Sequence, residues 1–224
     1  MIEQSPFGAQ VEFVDNPQPR CPCVLVLDTS ASMMGAPIRE LQIGLEQYRE
    51  ELMRDSLARQ RVEIAVVTFG GMVKVEHAFS TADSFHVPTL APNGNTPMAA
   101  ALSEAVRLVE NRKQQYKAAG LGYYRPWIFL ITDGEPTDVT LWPAAVAELQ
   151  RGSEAKNFIL FAVGVEDANF EKLRDLPALN GPQKLNGTRF RDLFLWLSQS
   201  QKSVSRSSPN DKIALPAPAW VIST

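Results

Sequence analysis

Apolar residues along this chain follow two spacings. Cys23-Val24-Leu25-Val26-Leu27, Val62 to Phe69, Trp127 to Thr132 and Phe158 to Val163 are short, nearly unbroken runs rich in β-formers. Such runs predict strands covered on both faces. Between them, apolar positions recur every three or four residues. Ile38, Leu41, Leu45, Tyr48 and Leu52 follow Pro37, which can open a helix. Met98, Leu102, Ala105 and Val109 follow Thr96-Pro97, a good N-cap before a good first helical residue. A third helix is predicted over 140–155, a short helical piece near 170–176, a weak strand near 183–185, and a last helix with Phe190, Leu193, Phe194 and Leu197 on one face. Met72 to Glu76 alternates apolar and polar, and after Gly70-Gly71 it predicts a hairpin with the second strand at one sheet edge. Strands alternating with helices imply right-handed crossovers and a mainly parallel sheet in an α/β fold.

The flanks read differently. Residues 1–20 are polar and proline-bearing, with only Val11 to Val14 able to form a short strand. Ser198 to Ser208 reads as solvated, and Leu215 to Trp220 is apolar enough either to pack back on the domain or to present a partner motif.

Length and composition narrow the class. At 224 residues, 45% hydrophobic and 21% charged, the chain has the make-up of a globular domain with a full core. A net charge of −3 and the absence of a dense Lys/Arg run argue against a nucleic-acid surface. No apolar stretch is long enough to span a bilayer, so no membrane partner is expected. Met1 to Pro6 lacks a basic segment leading into an apolar core. The two cysteines, Cys21 and Cys23, flank Pro22, too close for an unstrained disulfide and too few for a metal cage. Two reduced thiols fit a cytoplasmic protein.

The chemistry concentrates where the first strand ends, at Asp28-Thr29-Ser30-Ala31-Ser32. By itself this pentapeptide fits a turn and helix cap as well as a cation site. In a parallel sheet, however, every strand delivers its C-terminal end to the same edge, where such folds bind ligands. Asp133, at the end of the third buried run, belongs at that edge, and Thr96 can reach it. Asp28, Ser30, Ser32, Thr96 and Asp133 thus form a candidate oxygen-only site with two formal charges, suited to a hard divalent cation such as Mg²⁺.

These residues resemble the metal-ion-dependent adhesion site (MIDAS) of von Willebrand factor type A (VWA) domains: the Asp-x-Ser-x-Ser of Asp28, Ser30 and Ser32, Thr96 before Pro97, and Thr132-Asp133-Gly134. The likeness covers roughly residues 22–200 and implies a three-layer α/β/α, Rossmann-like domain over 21–205, with an N-terminal extension 1–20 and a tail 206–224. It implies Mg²⁺ or Mn²⁺ held by those five residues, with a vacant position for an Asp or Glu of a partner protein. Within the superfamily, Asn95-Thr96-Pro97 and Thr132-Asp133-Gly134-Glu135-Pro136-Thr137-Asp138 resemble bacterial TerY-like, tellurium-resistance-associated proteins. That implies a cytoplasmic adaptor or scaffold in a stress or tellurite-resistance system, with kinase- or phosphatase-like partners.

Other readings are weaker. A strand-end Asp followed by Ser is similar to haloacid dehalogenase phosphatases, which would make Asp28 a nucleophile, but that chemistry wants a second acid where Ser30 stands. No Gly-x-Gly-x-x-Gly or Walker loop follows the first strand, and no Gly-x-Ser-x-Gly elbow occurs. His77 and His86 lie on the second-strand side of the chain, beside the expected edge hairpin and away from the site, and read as exposed or packing residues. Gly134, Glu135 and Asp138 lie next to Asp133 and could orient a metal-bound water or face a partner. Asp138 or Thr137 could instead cap the helix that begins nearby. Of Met33 and Met34, Met33 is taken as the candidate for a partner surface, since Met adapts to varied contacts.

Overall fold

The structure is a computed structural model that describes residues 13, 15–165, 168–209, 211, 213–218 and 220–221. The short strand expected over 11–14 therefore lies outside the described residues apart from Phe13, which is buried.

Six strands form one sheet. In chain order the elements are β1 (Cys21–Asp28), a 3₁₀ turn (Ala31–Met33), α1 (Ala36–Met53), α2 (Ala58–Arg61), β2 (Val62–Gly70), β3 (Met72–Thr81), α3 (Met98–Ala118), β4 (Trp127–Thr132), α4 (Trp142–Glu154), β5 (Ile159–Gly164), α5 (Phe170–Leu173), β6 (Gln183–Lys184) and α6 (Phe190–Ser205). The sheet order is β3-β2-β1-β4-β5-β6, parallel throughout except for the β2–β3 hairpin at one edge.

Alternation along β1 divides the core in two. Cys23, Leu25 and Leu27 point into a cluster with α1 and α6, whereas Val24 and Val26 point into a second with α3 and α4. Both faces of the sheet are thus covered, giving three α/β/α layers. The chain runs from β1 outward through β2 to β3, then returns to β4 on the other side of β1. This reversal opens a crevice at the C-terminal ends of β1 and β4, the place where open α/β sheets bind ligands.

Two expectations about the flanks are settled by packing. The stretch Ser198 to Ser208 is not solvated as a whole. α6 runs to Ser205, and Ser198, Ser200, Gln201 and Ser205 are buried in its inner face. Gln201 accepts a hydrogen bond from the buried Tyr48 hydroxyl at 2.5 Å, and Ser205 Oγ turns back to the Lys202 carbonyl at 2.9 Å. These partners let polar side chains occupy positions that composition alone assigns to solvent. The tail packs back on the domain: Trp220 is buried against Trp196, whose indole Nε1 donates to the Pro216 carbonyl at 2.7 Å.

At the opposite end of the sheet from the crevice, Glu63 is fully buried between two guanidinium groups. It accepts from Arg20 Nε at 2.9 Å, from Arg112 Nε at 2.7 Å and from the Tyr116 hydroxyl. Neither cysteine is bonded to another. Burial pushes the Cys23 thiol up to about 12 and Cys21 higher still, so both are inert packing residues. No helix among the described residues is long and apolar enough to cross a membrane.

Candidate metal centre

The end of β1 is built into a ring of hydrogen bonds that the Thr132–Asp133 backbone closes. Asp28 is fully buried. Its Oδ1 accepts the Ser30 backbone N–H at 2.8 Å and its Oδ2 accepts the Thr132 hydroxyl at 2.5 Å. From Ser30 the ring continues to Ser32, with Oγ–Oγ at 2.9 Å, and Ser32 Oγ donates to Asp133 Oδ1 at 2.8 Å. The two carboxylates, 105 positions apart in the chain, are therefore joined through two serine hydroxyls and a threonine.

Thr96 enters from the other side. A Cβ placed on Gly134 would lie 3.4 Å from Thr96 Oγ1 and 3.8 Å from Asp28 Oδ2, so the Thr96 hydroxyl and the Asp28 carboxylate both border Gly134. The loop that carries Thr96 is stitched to its neighbours by backbone bonds. Ala31 N donates to Gly94 O at 3.0 Å, Asn93 N to Thr29 O at 2.8 Å, and Gly71 N to Asn95 O at 2.7 Å. Gly70 allows this approach, because a Cβ there would stand 2.0 Å from the Thr29 carbonyl oxygen.

The structure thus brings together all five residues expected to form the site. The neighbouring candidates fare differently. Gly134 lies inside the cluster. Glu135 is exposed at its margin and accepts from Asn169 Nδ2 at 2.6 Å. Asp138 does not cap the helix that follows it. Its carboxylate takes the backbone N–H groups of Ala99 at 3.1 Å and Ala100 at 2.8 Å, and so caps α3 from across the site. Thr137 works beside it, its Oγ1 accepting from Thr96 N at 3.1 Å and its N–H donating to Thr96 O at 2.9 Å. Held by these bonds, Thr96 is not the N-cap of α3; Pro97 takes that position and the helix starts at Met98. Met33 is fully buried and cannot face a partner, because the 3₁₀ turn points it inward; Met34 is the exposed member of the pair, at 68%.

Thr132 is the functional residue that sequence reasoning passed over. It ends β4 one position beyond the last β1–β4 pair, Leu27–Ile131, and so stands beside Asp28. Its place in the Thr132-Asp133-Gly134 run was the signal, and the hydroxyl's partner follows only once the register is known.

Electrostatics show how tightly the carboxylates are held. Burial pushes Asp28 up to about 6; the Asp133 charge adds to this, while hydrogen bonds from Ser30 and Thr132 oppose it. Asp133 is also raised above the usual carboxylate range, chiefly by burial. Two carboxyls driven toward their neutral forms in one place are a site that a cation would relieve. The donors are all oxygen, two carboxylates and three hydroxyls, which suits Mg²⁺ or Mn²⁺ far better than a soft metal. Among the described residues no group of three or more His, Cys, Asp or Glu could hold a metal, so a cation here would need hydroxyl donors beside the two carboxylates.

Comparison with known proteins agrees with this fold. A sequence model of the von Willebrand factor type A domain matches residues 23–192. Among solved structures, the chain is similar to the von Willebrand factor type A protein from Catenulispora acidiphila, with 18% identity over 83% of this chain and 43% of that one and a TM-score of 0.63. It is similar to the vWF domain of the type V pili tip protein Mfa5 from Porphyromonas gingivalis, with 11% identity over 88% of this chain and 99% of that one and a TM-score of 0.63. It is also similar to proximal thread matrix protein 1 from the mussel byssus, in a structure with a zinc-occupied MIDAS motif; identity is 15% over 82% of this chain and 48% of that one, with a TM-score of 0.55. At such identities the likeness establishes the fold. The chain spans less than half the length of the first of these proteins.

Proposed function

This chain belongs to the von Willebrand factor type A domain family, and on that premise we propose that it is a non-enzymatic, metal-dependent docking domain. It takes one Asp or Glu of a partner protein onto a Mg²⁺ or Mn²⁺ ion. The observation that carries this reading is the buried Asp28 carboxylate joined to Asp133 through Ser30 and Ser32, with the Thr96 hydroxyl beside it. Asp28, Ser30, Ser32, Thr96 and Asp133 would hold the cation. When bound, the ion supplies an electrophilic position for an incoming carboxylate, and charge-assisted contacts of that kind favour specificity.

The hydrolase alternative would make Asp28 a nucleophile. Both of its oxygens accept hydrogen bonds inside the fold and the residue is fully buried, which supports a holding role over attack. For the setting, we take the TerY-like resemblance as the guide: a bacterial cytoplasmic adaptor in a stress or tellurite-resistance system, with a kinase- or phosphatase-like partner. The buried, unpaired thiols support a reducing compartment.

Thermal unfolding in Mg²⁺, Mn²⁺ or chelator tests the site. At a metal concentration about 100 times Kd, linkage stabilises the fold by about 2.7 kcal/mol, a rise in Tm of about 5–10 °C for a domain of this size. Asp28→Ala and Thr96→Ala should abolish the rise, and an undiminished rise in both variants overturns the assignment. Turnover of p-nitrophenyl phosphate that depends on Mg²⁺ and is lost in Asp28→Asn would establish the hydrolase instead.

A further inference from the structure

The described residues expose five large hydrophobic side chains, and four of them stand at the metal edge, three on loops and Met72 at the first position of β3: Met34 at 68%, Met72 at 70%, Val139 at 62% and Leu141 at 50%. Each is tied to the cluster by the chain. Met34 lies two residues beyond Ser32. Met72 follows Gly71, whose N–H bonds the carbonyl of Asn95, the neighbour of Thr96. Val139 and Leu141 follow Thr137 and Asp138, which hold Thr96 and the start of α3. Isolated exposed apolar residues are ordinary, but four converging on the loops around one polar site mark an interaction surface.

The charges on these loops are as one-sided as the apolar residues. Residues 28–35, 70–73, 90–98 and 132–141 contain Asp28, Asp133, Glu135 and Asp138 but no Lys or Arg. A divalent cation is matched by Asp28 and Asp133, and the Asp138 carboxylate serves the N-terminus of α3, which leaves the exposed Glu135 with no cationic side chain on these loops. A single partner carboxylate on the metal can be tolerated there, whereas further acids beside it would approach Glu135 with no Lys or Arg on these loops to offset them.

Resting on the metal-docking reading above, we infer that the partner segment presents one Asp or Glu flanked within two positions by large apolar side chains, and not an acidic cluster. The rim of Met34, Met72, Val139 and Leu141 covers those flanks and excludes water from the contact. Excluding water strengthens the ion–carboxylate contact, as neutral residues around an interfacial anchor do. The two methionines suit a rim that must follow the shape of varied apolar neighbours.

A displayed library of 12-residue peptides, with one fixed Asp or Glu and all other positions random, tests this when panned on the full chain in Mg²⁺ and eluted with chelator. Enrichment of Leu, Ile, Phe, Met or Trp within two positions of the fixed acid is expected, with depletion of further acids. An enriched peptide, synthesised and measured by fluorescence polarisation, should lose about tenfold in affinity against Met72→Ser/Leu141→Ser, by the area removed from the contact. That variant should keep the Mg²⁺-dependent rise in Tm. Acid-rich or unbiased enrichment, no enrichment at all, or full affinity in the double variant overturns the apolar-flank proposal. If the native chain shows no metal-dependent rise in Tm, the metal-docking reading itself fails and this proposal falls with it.

Discussion

Thr132→Val removes one hydroxyl and keeps nearly the same shape at a fully buried position. In the native chain that hydroxyl donates to Asp28 Oδ2 at 2.5 Å and accepts from Gly134 N at 3.2 Å. A hydrogen bond to a charged group contributes about 1.5–3 kcal/mol, so a loss of about 2 kcal/mol is expected when Asp28 is ionised. For a domain of this length that corresponds to a fall in Tm of about 4–8 °C. The loss must also depend on pH. Asp28 titrates near 6 in the folded chain, so its carboxylate is charged at pH 8 and mostly neutral at pH 5. At pH 5 the lost bond is between neutral groups, and the deficit should fall to about 1 kcal/mol. Urea unfolding of the native chain and the variant in chelator at both pH values measures this directly. A deficit below about 0.5 kcal/mol at pH 8, or one of equal size at the two pH values, would refute the view that Thr132 anchors a buried ionised Asp28.

Three further outcomes follow from the same structure. In chelator, Asp28→Asn should gain stability relative to the native chain as pH rises from 5 to 8. The raised folded pKa of about 6 means that the stability Asp28 contributes is fully present below its ordinary value of 3.8 and is lost as pH rises through 6; of the roughly 3 kcal/mol lost in all, about 1.4 kcal/mol falls between pH 5 and 8, and a stability difference that stays flat over this range counts against the burial of a charged Asp28. Gly70→Ala places a Cβ 2.0 Å from the Thr29 carbonyl oxygen, so the loop between Asp28 and Ser30 must shift. It should cost about 1–3 kcal/mol and abolish the Mg²⁺-dependent rise in Tm; an intact rise shows that the loop position is not critical. Glu63→Ala removes the buried carboxylate that both Arg20 and Arg112 bond, and should cost about 3–5 kcal/mol by chemical denaturation. Glu63 begins β2 and the site lies at the other end of the sheet, so the variant should still respond to Mg²⁺ while folded.

Legibility in the sequence tracked the range of the interactions involved. Asp28, Ser30 and Ser32 were readable because their spacing is local and the strand before them is apolar throughout. The pairing of Asp28 with Asp133 was readable one step further out, since parallel strands send their ends to one edge. Thr132 was not readable, because its role depends on the β1–β4 register. Asp138 pointed to the wrong helix for a similar reason: a capping residue is recognised by sequence proximity, yet here the N–H groups it serves belong to α3, some forty positions earlier in the chain. The polar inner face of α6 shows the same limit: its composition suggests solvent, yet Ser198 and Ser205 bond carbonyls of their own helix and Gln201 bonds Tyr48 across the core.

By itself the sequence determined which segments are strands and helices, and that five oxygen-bearing side chains belong to one edge of the sheet. Periodicity and strand ends are properties of a few neighbouring residues, set by side-chain direction and backbone preference. Tertiary structure alone decided which hydroxyl holds Asp28, which helix Asp138 caps, and which methionine faces out. Those outcomes depend on strand register and on contacts between segments tens of residues apart, and no local pattern encodes them until the sheet has closed around its core.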